Sequence, residues 1–197
     1  MMKVLFAAAS YLVGSIPTGY LLIRGADKRD IRQFGSRSTG ATNVLRVKGL
    51  KYAIPVMLVD VLKGFLPAYL GFRLFHDPAV GAMAGFLAAL GHCFPFSIGF
   101  RGGKGMATSM GAFAALAFPA FLASLAVFVV TAAASRFVSL GSILAAVSFP
   151  LFVLLFHGPK PVLLWGLAIS ALVVLKHDAN IRRLLAGAER KLGEKKG

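Results

Sequence analysis

The sequence MATSMGAFAALAFPAFLASLAVFVVTAAAS, residues 106–135, decides how this chain is arranged, because the whole run contains no charged side chain. A membrane-spanning helix needs about 20 apolar residues, so this run forms either one overlong helix or two short ones. Phe118-Pro119 lies near its middle, and proline breaks a helix because it lacks an N–H donor and clashes with the preceding turn. The run by itself leaves both arrangements open.

Apolar runs of spanning length also lie on both sides of this stretch. They cover residues 4–23, 52–72, 79–98, 138–156 and 162–175. The chain is 57% hydrophobic and only 15% charged, which is more apolar surface than a soluble domain of 197 residues can hide. The composition therefore predicts an all-α polytopic membrane protein that forms a single domain over residues 1–197.

The distribution of the 22 Lys and Arg residues decides between one central helix and two. Two helices give about seven spans and place the basic loop of residues 24–51 on the same side as the basic tail, which runs from Lys176 to Lys195 and Lys196. All the cations then lie on that side apart from Lys63, within a span, and the three on the far side: Lys3, Arg73 and Lys160. Because cations collect on the cytoplasmic side, we predict an outside amino terminus, a cytoplasmic carboxyl terminus and short central helices around a cytoplasm-facing polar pocket.

The net charge of +15 would suggest a nucleic-acid partner for a soluble protein. Here the cations alternate with apolar runs, so membrane topology and anionic lipid or substrate explain them, and we expect no nucleic acid. The single Cys93 excludes an internal disulfide, and no Cys/His cluster has metal-ligand spacing. The sequence therefore predicts neither a metal nor a cofactor.

Three polar clusters adjoin spans on the predicted cytoplasmic side. Residues 35–46, GSRSTGATNVLR, combine glycines, hydroxyl groups, an amide and an arginine, which suit phosphate oxygens. Residues 91–108, GHCFPFSIGFRGGKGMAT, offer glycine backbone N–H groups, Lys104 and a helix start. Residues 177–189, HDANIRRLLAGAE, place His177 and Asn180 one helical turn apart. The alternatives are, in order, a solvated loop, a plain turn and an amphipathic surface helix.

Further polar residues have two interpretations each. In RFVSLGS at residues 136–142, Ser139 or Ser142 is a site candidate, and the alternative is that these are helix-capping serines. His92 is a base or a buried hydrogen-bonding residue at the end of the third span. Asp60 and Lys63 lie three residues apart within the second span, and we interpret them as a structural ion pair.

These blocks, with DVLKG at residues 60–64, resemble the signature blocks of the bacterial membrane-integral, acyl-phosphate-dependent glycerol-3-phosphate acyltransferases, the PlsY family. They occur in the family's order and spacing, and the resemblance covers essentially the whole chain. One block departs from the family. The family's first block usually reads Gly-Ser-Gly-Asn, whereas this chain has Gly35-Ser36-Arg37-Ser38. Arg37 and Ser38 are therefore not carried over as ligands.

The resemblance implies transfer of a fatty acyl group from acyl phosphate to the 1-hydroxyl of glycerol 3-phosphate. The products would be 1-acyl-glycerol 3-phosphate (lysophosphatidic acid) and phosphate, in the first step of phospholipid synthesis. It also implies a bacterial inner-membrane enzyme whose active site faces the cytoplasm, with membrane lipid as a partner; no protein partner is predicted. Since the donor is already activated and no nucleophile–base–acid relay is evident, we expect direct transfer without an acyl-enzyme.

The predicted site has three groups of residues. The phosphate of glycerol 3-phosphate would be bound by Ser36, Arg46 and Lys104. The acyl-phosphate head or its developing oxyanion would be held by the backbone of Gly40, Gly102 and Gly103 and by Thr42, Asn43 and Thr108. The acceptor hydroxyl would be oriented by His177 and Asn180, and its proton would pass to His177 or to the donor's own phosphate. His92 and Ser142 are additional substrate-binding candidates.

Two alternatives belong to other classes. A membrane anion transporter would place charged groups and broken helices near the bilayer midplane, whereas these clusters sit at one face. An acyltransferase with a thioester donor would carry a His-x-x-x-x-Asp motif, and neither His92 nor His177 begins one.

Overall fold

The structure is a computed structural model that describes residues 1–194, so the predicted tail cations Lys195 and Lys196 lie outside the described residues. The described chain is all-helical and contains no β-strand, as predicted. Its α-helices are α1 (Met2–Gly14), α2 (Thr18–Asp27), α3 (Ala41–Lys48), α4 (Leu50–Phe75), α5 (Pro78–Cys93), α6 (Met106–Leu116), α7 (Phe118–Ser135), α8 (Val138–Leu155), α9 (Lys160–Lys176) and α10 (Asp178–Leu185). Short 3-10 helices occupy Ile31–Gln33 and Phe96–Ile98.

Five helical segments of the described chain are long and apolar enough to cross a membrane. They are Met2–Asp27, Leu50–Phe75, Pro78–Ile98, Phe118–Ser135 and Val138–Leu155. A sixth is obtained if α9 and α10, which meet at a bend of 59°, count as one broken span. The prediction of about seven differs from this number because α6 has only 11 residues, which is about half the length that a bilayer requires.

The uncharged run of residues 106–135 folds as two helices, as the charge distribution predicts. α6 ends at Leu116 and α7 begins at Phe118, with the extended residue Ala117 between them. Pro119 lies in the first turn of α7, where its missing N–H would have had no helical partner anyway. The two helices are therefore separate and are joined by the single residue Ala117.

Residues 24–51 are not the loop that their charge suggests. α2 continues through Asp27, a 3-10 helix covers Ile31–Gln33, α3 covers Ala41–Lys48 and α4 begins at Leu50. The reason is a small apolar cluster in which Ile23, Ile31, Val44 and Val56 are buried together. Because residues 24–51 contain many cations, composition alone does not reveal this apolar cluster.

Glycines set the spacing between α4 and α6. A Cβ added at Gly64 would lie 1.9 Å from the carbonyl oxygen of Thr108, and one added at Gly111 would lie 2.0 Å from that of Val61. Such small residues let two helices approach until their backbones touch. α6 is thereby held against α4.

Candidate active site

A cavity of about 330 Å³ lies where the ends of several helices converge. Its polar wall consists of Ser36, Ser38, Thr42, Asn43, Arg46, Asp60, His92, Lys104, Ser139, Ser142, His177, Asn180 and Glu189. Its apolar wall consists of Met57, Val61, Met106, Ala107, Met110, Ala114, Phe121, Leu125, Phe128 and Val138. A cavity with one wall of each kind suits a ligand that has a charged head and a hydrocarbon tail.

The structure brings all three predicted clusters to this cavity. The predicted candidates that line it are Ser36, Gly40, Thr42, Asn43, Arg46, His92, Lys104, Ser142, His177 and Asn180. The predicted candidates Gly102, Gly103 and Thr108 are not among its lining residues.

Three helices begin at the cavity wall. Residues 40–42 at the start of α3, residues 105–107 at the start of α6 and residues 138–139 at the start of α8 all line it. Within residues 1–194, none of these three helices has a side-chain cap on its first N–H groups. Because unpaired N–H groups and the helix dipole make a helix start electropositive, the three starts together favour an anion in the cavity.

Two cations add to this field. Arg46, on α3, and Lys104, just before α6, line the cavity, and neither forms a salt bridge with a carboxylate of residues 1–194. Burial lowers the pKa of Lys104 to about 8, although the nearby charge of Glu189 opposes that shift. Burial also lowers the pKa of Arg46. An anionic ligand would relieve this desolvation cost.

Lys104 is held by an amide. Its Nζ donates a hydrogen bond to Oδ1 of Asn180, which lies on the first turn of α10 and is 2% exposed. Since the amide is neutral, this contact orients the ammonium group without cancelling its charge.

Glu189 is the residue that the sequence analysis missed. Its Oε1 accepts hydrogen bonds from Ser139 Oγ at 2.8 Å and from Asn180 Nδ2 at 2.6 Å, and its Oε2 accepts one from Arg183 Nε at 2.7 Å. Burial alone would raise the pKa of this carboxyl, but these hydrogen bonds lower it below the usual value. A signal was present, because Glu189 is one of only seven acidic residues in a basic chain and closes a signature block.

His177 lies at the bend between α9 and α10. Its Nδ1 is 2.7 Å from the carbonyl oxygen of Val173, and since a carbonyl only accepts, Nδ1 carries a proton. In the neutral ring, Nε2 is then the nitrogen with a free lone pair. This is the nitrogen that can accept a proton from a ligand in the cavity.

Asn43 lines the cavity, but its amide is already used by the loop before α3. Its Oδ1 accepts from the Ser36 N–H at 2.7 Å, and its Nδ2 donates to the carbonyls of Ser38 at 2.8 Å and Phe34 at 3.1 Å. These bonds place Ser36 at the cavity wall. The structure thus shows Asn43 supporting the loop, a contact that differs from the direct contact with the donor head that we predicted.

The glycines before α6 also differ from the prediction. The N–H of Gly102 donates to the carbonyl of Cys93 at 3.3 Å, and the N–H of Gly103 donates to that of His92 at 3.0 Å. These bonds satisfy the last carbonyls of α5. In this structure, the two N–H groups therefore face α5 and not a ligand in the cavity.

Thr108 lies on the far side of α6 from the cavity. It is completely buried against α4, where its carbonyl contacts Gly64. Within residues 1–194, its Oγ1 has no hydrogen-bond partner. Ser142, which does line the cavity, donates its hydroxyl hydrogen to the carbonyl of Val138 at 2.8 Å.

Comparison with known proteins identifies relatives over nearly the whole chain. A family model described as glycerol-3-phosphate acyltransferase matches residues 4–187. The glycerol-3-phosphate acyltransferase of Thermoanaerobacter pseudethanolicus is 42% identical, over 99% of this chain and 98% of its own. That of Geobacter sulfurreducens is 44% identical, over 95% of this chain and 96% of its own.

Two solved structures have the same fold. Both are crystal structures of PlsY, described as an integral membrane glycerol 3-phosphate acyltransferase, in a glycerol 3-phosphate form and a lysophosphatidic acid form. The first is 38% identical to this chain with a TM-score of 0.93, and the second is 37% identical with a TM-score of 0.91. Each comparison covers 98% of this chain and 96% of the solved one.

Proposed function

The chain belongs to the glycerol-3-phosphate acyltransferase family, and we propose that its single domain transfers a fatty acyl group from an acyl phosphate to the 1-hydroxyl of glycerol 3-phosphate. The products are 1-acyl-glycerol 3-phosphate and phosphate, and the reaction is a step of phospholipid synthesis. The observation that carries this proposal is the pairing of Arg46 and Lys104, two cations that form no salt bridge within residues 1–194, with an apolar wall in one cavity.

The phosphate of glycerol 3-phosphate binds to Ser36, Arg46 and Lys104. All three line the cavity, and they supply a hydroxyl, a planar guanidinium and an ammonium, which are the donor types that phosphate oxygens accept. The oxygens of a phosphate dianion there replace the hydration that both cations lose on burial. Binding of the acceptor is therefore mainly electrostatic.

The acyl-phosphate head lies at the start of α3. That helix begins without a side-chain cap at Gly40, and Gly40, Ala41 and Thr42 line the cavity. Its first N–H groups and the Thr42 hydroxyl are suited to the donor phosphate and to the oxyanion that develops on the carbonyl during attack.

The acyl chain of the donor lies in the gap between α6 and α7. Met110 and Ala114 on α6 and Phe121, Leu125 and Phe128 on α7 line this part of the cavity. Because the two helices are joined at Ala117, the gap narrows toward the joint. A hydrocarbon tail placed there keeps the reactive head at the polar wall.

The reaction is a direct attack of the acceptor hydroxyl on the donor carbonyl, with loss of phosphate. The hydroxyl oxygen forms a bond to the carbonyl carbon, the bond from that carbon to the phosphate oxygen breaks, and the hydroxyl proton passes to His177 Nε2 or to the departing phosphate. The arrangement supports a route without an acyl-enzyme: Cys93 is buried and does not line the cavity, Ser139 and Ser142 already donate to Glu189 and Val138, and Ser36 is assigned to the acceptor phosphate. Catalysis then rests on positioning and charge.

We also infer a bacterial inner-membrane location, with an outside amino terminus and the cavity open to the cytoplasm. The support is the cation distribution, since Arg46 and Lys104 line one cavity with Glu189, and Arg183 pairs with Glu189 there. Phosphate leaves from a donor that is already activated, so no cofactor is needed. Full activity in excess chelator is the expected result.

The test uses purified protein in detergent with glycerol 3-phosphate and one of two donors, an acyl phosphate or an acyl thioester. We expect equal amounts of lysophosphatidic acid and phosphate with the acyl phosphate and no product with the thioester. Product from the thioester alone would overturn the donor assignment. Turnover with neither donor, together with uptake of phosphate into vesicles that contain the protein, would favour a transporter.

A further inference from the structure

A cluster of buried titratable side chains at the cavity has no role in the reaction described above. Asp60 and Lys63 lie on α4, and His92 lies near the end of α5; their exposed fractions are 1%, 4% and 6%. Lys63 Nζ is 2.8 Å from Asp60 Oδ1, so the predicted ion pair is present. Charged groups in an apolar interior carry a large desolvation cost, so buried charges in a membrane protein are candidates for a functional role.

One side of the cluster holds the bend between α1 and α2. Lys63 Nζ donates to the carbonyl of Ile16 at 2.8 Å, and the Thr18 hydroxyl donates to Asp60 Oδ1 at 3.1 Å. Ile16 and Thr18 flank Pro17, where the helix is interrupted. The ion pair thus satisfies backbone and side-chain groups at this interruption and makes the bend a fixed support for Asp60.

The other side of the cluster reaches the turn that carries Lys104. His92 Nδ1 is 3.6 Å from Asp60 Oδ1. The opposite edge of the ring faces Gly103, since a Cβ added at Gly103 would lie 1.9 Å from His92 Nε2. The Gly103 N–H also donates to the carbonyl of His92 at 3.0 Å. The backbone immediately before Lys104 therefore rests on the imidazole ring.

We propose that Asp60 and His92 are positioning residues for Lys104. The Asp60 carboxylate faces the imidazole of His92 at 3.6 Å, and the ring and carbonyl of His92 support Gly103, so that Lys104 Nζ reaches Asn180 at the polar wall. Lys63 neutralises the carboxylate and ties it to the bend at Ile16. This inference rests on the proposed role of Lys104 in binding the acceptor phosphate.

This arrangement also explains why His92 lines the cavity without acting as the base. Nδ1 faces Asp60, and the Nε2 edge is covered by Gly103, whereas His177 keeps Nε2 free. The same contact explains why residue 103 is a glycine without invoking a contact with the ligand. Any side chain there would push the ring away from Asp60.

The test is a pair of double-mutant cycles on purified protein, with the KM for glycerol 3-phosphate, kcat and the thermal midpoint as readouts. The first cycle combines His92→Ala with Lys104→Ala, and the second combines His92→Ala with Gly103→Ala. Ser124→Ala is the matched control, because Ser124 is equally buried but bonds to Ala120 within α7, away from the cavity.

We expect His92→Ala to lower kcat/KM about tenfold or more, mainly through the KM for glycerol 3-phosphate, and to have little further effect in the Lys104→Ala background. Residues that act through one another are non-additive in this way. Gly103→Ala should lower kcat/KM when His92 is present. It should have little effect in the His92→Ala background, where the imidazole ring is gone. Any change in kcat/KM caused by Ser124→Ala should simply multiply with the loss caused by Lys104→Ala.

The proposal is overturned if the losses of His92→Ala and Lys104→Ala multiply, or if His92→Ala lowers only the thermal midpoint and leaves the KM unchanged. Should His92→Ala not fold, Gly103→Ala with Lys104→Ala completes the same cycle. A Lys104→Ala protein with an unchanged rate would refute the proposed function of Lys104 and this inference together. Multiplying losses would refute this inference alone.

Discussion

Asn180 donates a hydrogen bond from Nδ2 to Oε1 of Glu189 across 2.6 Å, and this contact decides which way the Asn180 amide faces. Because a carboxylate only accepts, the amide nitrogen must face Glu189 and the amide oxygen must face the other way. That oxygen accepts from Lys104 Nζ. The carboxylate thus orients the ammonium group through a neutral amide, and the charge of Lys104 stays available for an anionic ligand.

The first prediction concerns this chain of contacts. Glu189→Gln places an amide nitrogen among three donors, which removes charge-assisted hydrogen bonds worth about 1.5–3 kcal/mol each. We expect a lower thermal midpoint in detergent and at least a tenfold loss of transfer rate. Glu194→Gln is the control, since Glu194 accepts from the Lys191 N–H on the exposed surface. Equal behaviour of the two variants would contradict this account of Glu189.

The second prediction concerns pH. Burial lowers the pKa of Lys104 to about 8, so the side chain is charged below that pH and loses its proton as the pH rises through it. Phosphate binding requires the charged form, so kcat/KM for glycerol 3-phosphate should fall on the alkaline side of about pH 8. In Lys104→Arg the guanidinium stays charged, and this limb should disappear even though the changed geometry lowers the rate.

The pH profile is measured from initial rates, after subtraction of the hydrolysis of the acyl phosphate without enzyme at each pH. An alkaline limb that is the same in the wild type and in Lys104→Arg would show that another group controls it.

The third prediction concerns the gap between α6 and α7. Ala114 and Phe121 lie three and four residues from the joint at Ala117, so they are the lining residues nearest its closed end. Each buried methylene contributes about 0.8 kcal/mol, close to fourfold in kcat/KM. Ala114→Phe fills the narrow end and should lower kcat/KM for long-chain acyl phosphates much more than for short ones.

A donor series of increasing chain length measures this effect. Ala126→Phe is the matched control, because Ala126 is exposed on α7 and does not line the cavity. An equal loss for all chain lengths in Ala114→Phe would place the acyl chain elsewhere.

The convergence of the polar clusters was predictable, whereas the apolar wall was not. Positive charge in a membrane protein is distributed by side, so the basic segments placed Arg46, Lys104 and the adjoining His177 at one face. In contrast, α6 and α7 carry no charge on any face, and nothing in their composition distinguishes Phe121, which lines the cavity, from Leu122, which is exposed. Only the packing of α6 on α4 and of α7 on α8 decides this.

The role of Glu189 depends on a reversal of the chain. After α10, Gly187 adopts a φ of +65°, a left-handed conformation that glycine adopts readily, and the Ala188 N–H donates to the carbonyl of Arg183. This helix end returns Glu189 to Ser139 and Asn180. A glycine that ends a helix can be recognised in sequence, but the partners that the following residue meets cannot.

The most direct test of the central claim compares Lys104→Ala with Arg101→Ala, a removal of the exposed cation three residues earlier in the same turn. Initial rates are measured on purified, folded protein with glycerol 3-phosphate and an acyl phosphate. Loss of a cation that stabilises charge in the site costs on the order of 10²–10³ in rate, so we expect that loss in Lys104→Ala and a near-wild-type rate in Arg101→Ala. Near-wild-type rates in both variants would contradict the assignment of this cavity as the phosphate-binding active site.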